Sequence, residues 1–170
     1  MSVYKKKRLV IYLIVVATLI LTFLAWYQDT YTMDKASSFE INTTHFNKKL
    51  VIATQGSAFK NAITSNIINH YKNDSIYIKV IDIDGLHDIK PKKFDAIVIL
   101  HTWESWQPPQ SVKLFLNRTR LYYNKIIVFT TSGSGNSKME DIDAVTGESN
   151  LNNTKKYSDI IINKLRPLLK

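Results

Sequence analysis

The sequence predicts an α/β domain, a parallel sheet of order 2-1-3-4-5 between two layers of helix, preceded by one N-terminal transmembrane helix. Three observations predict it. Residues 9–27 (LVIYLIVVATLILTFLAWY) hold no charge. Beyond residue 48, short β-branched runs alternate with stretches of helical period, which implies right-handed crossovers and a mainly parallel sheet. Three of those runs, 49–54, 95–100 and 125–130, are apolar on both faces, as inner strands must be.

The charged N-terminus and the apolar run belong together. Lys5, Lys6, Lys7 and Arg8 precede the run and supply four of the nine net positive charges. At about 1.5 Å per residue the run crosses roughly 30 Å, the thickness of a bilayer's hydrocarbon core. Trp26 and Tyr27 fall at its far end, where amphipathic rings favour the interface. The positive-inside rule places residues 1–8 in the cytoplasm and everything after the span outside the cytoplasmic membrane, single-pass. No small-x-small cleavage site follows, so the run reads as an uncleaved anchor in the lipid bilayer rather than a signal peptide. Residues 28–47 are polar and aperiodic and read as a tether.

Residues 48–170 form the domain. Run 49–54 is a buried strand that turns at Gly56. Residues 57–71 follow helical spacing through Phe59, Ala62, Ile63 and Ile67, and Asn73-Asp74 ends them. Run 76–83 carries Lys79, which suits an edge strand. Residues 85–93 are irregular, and 95–100 is a buried strand. Pro108-Pro109 opens a helix to about residue 123, with Val112, Phe115 and Leu116 on one face. Run 125–130 is buried, 142–145 is a short strand, and 154–166 is the last helix, which Pro167 ends or kinks. The three buried runs take the inner sheet positions, 76–83 one edge and the fifth strand the other.

Composition removes several functions. The absence of cysteine excludes disulfides, thiol catalysis and cysteine-ligated metals. Away from the N-terminus the chain is only mildly basic, with no dense basic face for nucleic acid. Phosphate-loop, nucleophile-elbow and zinc-helix motifs are missing. No catalytic set is assigned, and whether the chain is an enzyme stays open.

In a sheet of this order a ligand binds beyond the carboxyl ends of the strands, where the order reverses. Four segments converge there: Thr54-Gln55-Gly56-Ser57, the loop 101–106, Thr130 to Asn136, and Thr146 to Ser149. The first leads into a helix. It is either an anion site, with Lys60 adding charge, or a plain turn with Ser57 as N-cap. Trp103 and Trp106 offer flat rings to a planar ligand or pack over the next helix. His101 is a structural residue at a strand end or a catalyst.

With these residues in view, the chain resembles the flavodoxin-like family over about residues 48–170. Ala53-Thr54-Gln55-Gly56-Ser57-Ala58 is similar to that family's phosphate loop, with its glycine in register and three hydroxyls missing. Trp103 or Trp106 looks like its ring-stacking aromatic, and Ser132-Gly133-Ser134-Gly135 like its glycine-rich loop. The resemblance implies FMN bound by Thr54, Gln55, Gly56, Ser57, Thr102, Trp103, Thr131, Ser132, Gly133, Ser134 and Gly135, with electrons passed to a redox or membrane-protein partner. The missing hydroxyls imply the alternative, a cofactor-free scaffold acting as a binding or assembly module. Residues 143–149 (DAVTGES) are also similar to sequences that carry covalent FMN, which would put a phosphoester on Ser149.

Overall fold

The computed structural model describes residues 3–31, 33–139 and 142–170. Met1 and Ser2 of the segment 1–8, and Thr32 of the segment 28–47, lie outside them. The chain divides at Met33 into two compact units.

The first unit is helix α1, Val3–Tyr31. Its stretch Tyr4–Tyr27 has a mean hydropathy of 2.7 and is long and apolar enough to cross a membrane. Leu9, Ile11, Leu13, Leu19 and Phe23 are all exposed. A helix apolar on every side suits lipid rather than an aqueous surface.

The second unit is a seven-stranded sheet with helices on both faces. Its strands are β1 (Asp34–Lys35), β2 (Phe39–Ile41), β3 (Lys48–Gly56), β4 (Ile76–Asp82), β5 (Ala96–Thr102), β6 (Ile126–Thr131) and β7 (Ala144–Gly147). Helices α2 (Ala58–Tyr71), α3 (Gln110–Arg118) and α4 (Thr154–Leu169) complete it. The five parallel strands run β4-β3-β5-β6-β7. This is the predicted 2-1-3-4-5 order, the flavodoxin-like arrangement of a doubly wound sheet.

The period-2 geometry of the strands divides the core into two layers. Leu50 and Ile52 of β3, with Ala96, Val98 and Leu100 of β5, meet Phe59, Ile63 and Ile67 of α2 and Ile161 and Leu165 of α4. Val51, Ala53, Ile97 and Ile99 face the other way onto Val112, Phe115 and Leu116 of α3. Short 3₁₀ turns, Ile83–Asp88 and Pro91–Lys93, join β4 to β5, and their Ile83 and Leu86 fill the second layer.

Two expectations change. The segment 28–47 is not a free tether from Met33 onward. Asp34–Lys35 pair antiparallel with Gln55 and Gly56, and Phe39–Ile41 pair antiparallel with Val80, Lys79 and Ile78. Strand β4 is therefore an inner strand. Lys79, which suggested an edge, instead reaches Glu40 of β2 at 3.1 Å. The pairing is by backbone, so polar residues serve as well as apolar ones. Boundaries also shift. Helix α3 stops at Arg118, where Thr119 donates its hydroxyl to the Phe115 carbonyl at 2.7 Å, and a 3₁₀ turn, Arg120–Lys125, follows. Helix α4 continues past Pro167 to Leu169.

Phe59, Phe129 and Tyr157 form a ring cluster with centroids 4.8–6.1 Å apart. Gly147, the last residue of β7, lies under it, and a Cβ there would overlap the Tyr157 hydroxyl. Gly147→Ala must push Tyr157 out of this cluster. We expect a loss of about 1–3 kcal/mol, the cost of overpacking a core. A denaturation midpoint equal to that of the wild type would refute this packing.

Candidate functional site

The carboxyl ends of β3, β5 and β6 bring Thr54, Gln55, Thr102 and Thr131 together, as the strand order requires. The fully buried Lys60, in the first turn of α2, points into the same place. Its ammonium donates to Thr102 Oγ1 at 2.6 Å, and that hydroxyl lies 2.7 Å from Thr131 Oγ1. Thr131 Oγ1 in turn donates to the His101 carbonyl at 3.4 Å. Gln55 joins the set at both ends of its amide. It accepts from the Thr102 N–H at 2.7 Å and donates to Glu104 Oε1 at 2.5 Å. The Trp103 N–H donates to the Thr131 carbonyl at 2.9 Å. Of the residues expected to hold a ligand, Gln55, Thr102 and Thr131 are thus bonded within this one network.

Lys60 sits on the apolar stripe of α2, in line with Thr64, Ile67 and Tyr71. Its partners besides Thr102 are weak; the sulfur of Met33 lies 3.6 Å from Nζ. Burial lowers its pKa to about 8, and the charge of Glu104 opposes that shift. His101 is fully buried one layer below, with Nε2 3.0 Å from the Thr130 hydroxyl. Burial lowers its pKa to about 4, and the Lys60 charge adds to the effect. A neutral imidazole bonded to a threonine is a structural residue here.

Ser57 is the N-cap of α2 and accepts from the Lys60 N–H at 3.2 Å. Gly56 has its own reason to be glycine. A Cβ there would stand 2.8 Å from the carbonyl oxygens of both Asp34 and Lys35. The Ala36 N–H, next along the chain, donates to Asp82 Oδ2 at 2.7 Å. Residues 33–36 therefore lie across the end of β3, beside the loop that sequence reasoning offers to a phosphate. A cavity of about 230 Å³ remains between this segment and α2, lined by Thr54, Gly56, Asn61, Thr64, Phe39 and Val80 among others. The Thr64 hydroxyl is buried there without a partner.

The loop after β6 is more open. Ser132 accepts at its hydroxyl from the Ser137 N–H at 3.3 Å and donates its own N–H to the Gly147 carbonyl at 3.2 Å. Gly135 is left-handed, at φ 69°, and packs on Glu148, whereas Gly133 faces open space. Ser134 is exposed, as is Ser149 beyond β7. Trp103 is half-buried, and its indole N–H is buried without an acceptor.

Trp106 lies apart from this network. Glu104 and Gln107 exchange backbone hydrogen bonds of 2.9 and 3.0 Å around a two-residue turn. Ser105 and Trp106 at its tip have φ of 49° and 67°. Such a turn is ordinarily made by Asn-Gly or Gly-Gly, and each non-glycine residue in this region costs roughly 1–2 kcal/mol. Trp106 is nevertheless 93% exposed. It neither packs on α3 nor lines the crevice.

FMN would need its phosphate at the loop 54–57. Two carbonyl oxygens, the negative ends of their dipoles, already face Gly56 there, and Lys60 is turned inward to Thr102. The residues present do not fit a phosphate at this place. Among the described residues no group of His, Asp and Glu could hold a metal ion.

Three participants in the site, Met33, Asp34 and Glu104, do not stand out in the sequence. Lys60 has a legible signal, a lysine on a helical stripe that is otherwise uncharged. No protein-family model matches the chain, and no curated protein does. Among solved structures the chain is similar to oxidised flavodoxin 2 from Bacillus cereus, at 12% identity over 70% of this chain and 99% of that one, with a TM-score of 0.45. It is also similar to a flavodoxin from the domain Archaea, at 14% identity over 71% of this chain and 74% of that one, with a TM-score of 0.37.

His101 supplies a pH test. Its pKa is depressed in the fold, so the unfolded chain binds more protons between pH 6.5 and 4. The stability it contributes is present above pH 6.5 and lost as pH falls through 4, about 3 kcal/mol in all. His101→Gln should flatten the stability curve over that window relative to wild type. Parallel curves for the two proteins would show that His101 does not titrate in this way.

Proposed function

We propose that this chain is a membrane-anchored, cofactor-free flavodoxin-like domain that serves as a binding or assembly module. One observation carries the reading: the Asp34 and Lys35 carbonyl oxygens stand against Gly56, where the fold would otherwise take a ligand's phosphate. The neighbouring side chains support it, because Lys60, Thr102, Thr131 and Gln55 spend their hydrogen bonds on one another. A scaffold of this fold can carry many functions, and here the loop at Gly56 is covered by the chain's own backbone.

In this reading α1 is the anchor. Its apolar stretch has the length of a span, and the basic cluster at Lys5 to Arg8 keeps the N-terminus in the cytoplasm. The folded unit then lies outside the cytoplasmic membrane and presents its surface to a membrane or extracytoplasmic protein.

A second reading is electron transfer with FMN. The unpartnered indole N–H of Trp103, beside the open loop Ser132 to Gly135, favours it. Bound flavin would supply the redox chemistry, and this chain would supply orientation and electrostatic tuning.

The two separate on titration of the full chain in detergent with FMN. We expect a colourless protein, no quenching of flavin fluorescence and no rise in Tm. Saturable quenching in the micromolar range or below, about 8 kcal/mol of binding or more, would overturn the proposal in favour of the second reading.

A further inference from the structure

We propose that the turn Glu104–Gln107 is a membrane-docking foot, whose Trp106 seats in the headgroup region of the bilayer. The inference rests on the reading of residues 9–27 as a membrane span.

The turn is built in a form that the fold does not reward. Both tip residues are left-handed without being glycine or asparagine, and Trp106 is 93% exposed. Backbone strain in an exposed bulky residue points to a use outside the fold. Indole has an apolar body and one polar N–H, so it favours the boundary between headgroups and acyl chains over water.

Connectivity selects lipid as the occupant. The chain passes from α1 into the folded unit at Met33, and its first pairing, Asp34–Lys35 on Gln55–Gly56, lies at the carboxyl end of the parallel sheet. The turn extends β5 from that same end. So does the 3₁₀ turn after β7, with Leu151 exposed. Of the charges at this end, exposed Lys35 is paired with Asp84 at 3.0 Å and Asp34, Asp82, Glu104 and Glu148 are acidic, which argues against a patch for anionic lipid. The indole is the anchor, and a neutral bilayer suffices.

The natural absence of cysteine gives a clean test in the full chain reconstituted into phosphatidylcholine vesicles. A nitroxide is placed at Ser105→Cys, at Ile20→Cys within the span, or at Leu121→Cys. Leu121 is equally exposed, at 93%, and precedes β6 at the opposite end of the sheet. Power-saturation spectra then compare each label's accessibility to oxygen, which enters lipid, and to a water-soluble nickel chelate. We expect labels at 20 and 105 to favour oxygen and the label at 121 to favour nickel. Adding Trp106→Ser should reverse the preference at 105 and leave 20 unchanged. If 105 behaves like 121 while 20 favours oxygen, docking is refuted and the anchor stands. A label at 20 that favours nickel overturns the anchor and the docking together. Immobilisation at 105 without an oxygen preference would mean contact with protein, and would also refute the proposal.

Discussion

The ammonium of Lys60 has no access to solvent, and its partners are a hydroxyl and a thioether. Removing a charge from water is costly unless its hydrogen bonds are replaced, so everything around this group is constrained to replace them. Its bond to Thr102 ties the first turn of α2 to β5, and the Thr102–Thr131 contact extends the tie to β6. Met33 closes the remaining side. The chain's entry into the folded unit, the start of α2 and strand β5 thus meet at one nitrogen, with β6 one hydroxyl further on. Burial depresses the Lys60 pKa to about 8, and the charge of Glu104 offsets part of that shift.

The fold was legible wherever burial dictated residue type. A parallel strand covered on both faces has nowhere to place a polar side chain, so runs 49–54, 95–100 and 125–130 declare themselves. Ser57 is legible as a cap because few residues can satisfy a helix's first N–H groups. The segment 34–41 was not legible. Its strands are two and three residues long and mostly exposed, and what places them is main-chain hydrogen bonding. Any sequence carries that bonding, so side-chain patterns are silent about it. The edge role expected of β4 failed for the same reason: the partner that covers it has no apolar signature.

The crevice was legible in position but not in state. Strand order alone brings Thr54, Thr102 and Thr131 together, and glycine at 56 signals a close approach. What approaches cannot be read from a glycine. In this fold it is the chain's own carbonyl oxygens, as Gly56 shows. Likewise Trp103 and Trp106, three residues apart, look interchangeable in sequence. A tight turn divides them, leaving Trp103 half-buried against the sheet and Trp106 in the open.

Strand β2 has a consequence for how the domain can be handled. It covers the outer edge of β4 with three residues, and the Lys79–Glu40 pair caps the seam. An uncovered strand edge is a template for pairing with other chains. A domain excised at residue 48, where the apolar pattern begins, would expose the seven residues of β4, all apolar or aromatic except Lys79 and Asp82, as an adhesive margin. Cutting before Met33 keeps the selvage on the cloth, and colloidal solubility should follow that choice of boundary more closely than it follows the size of the core.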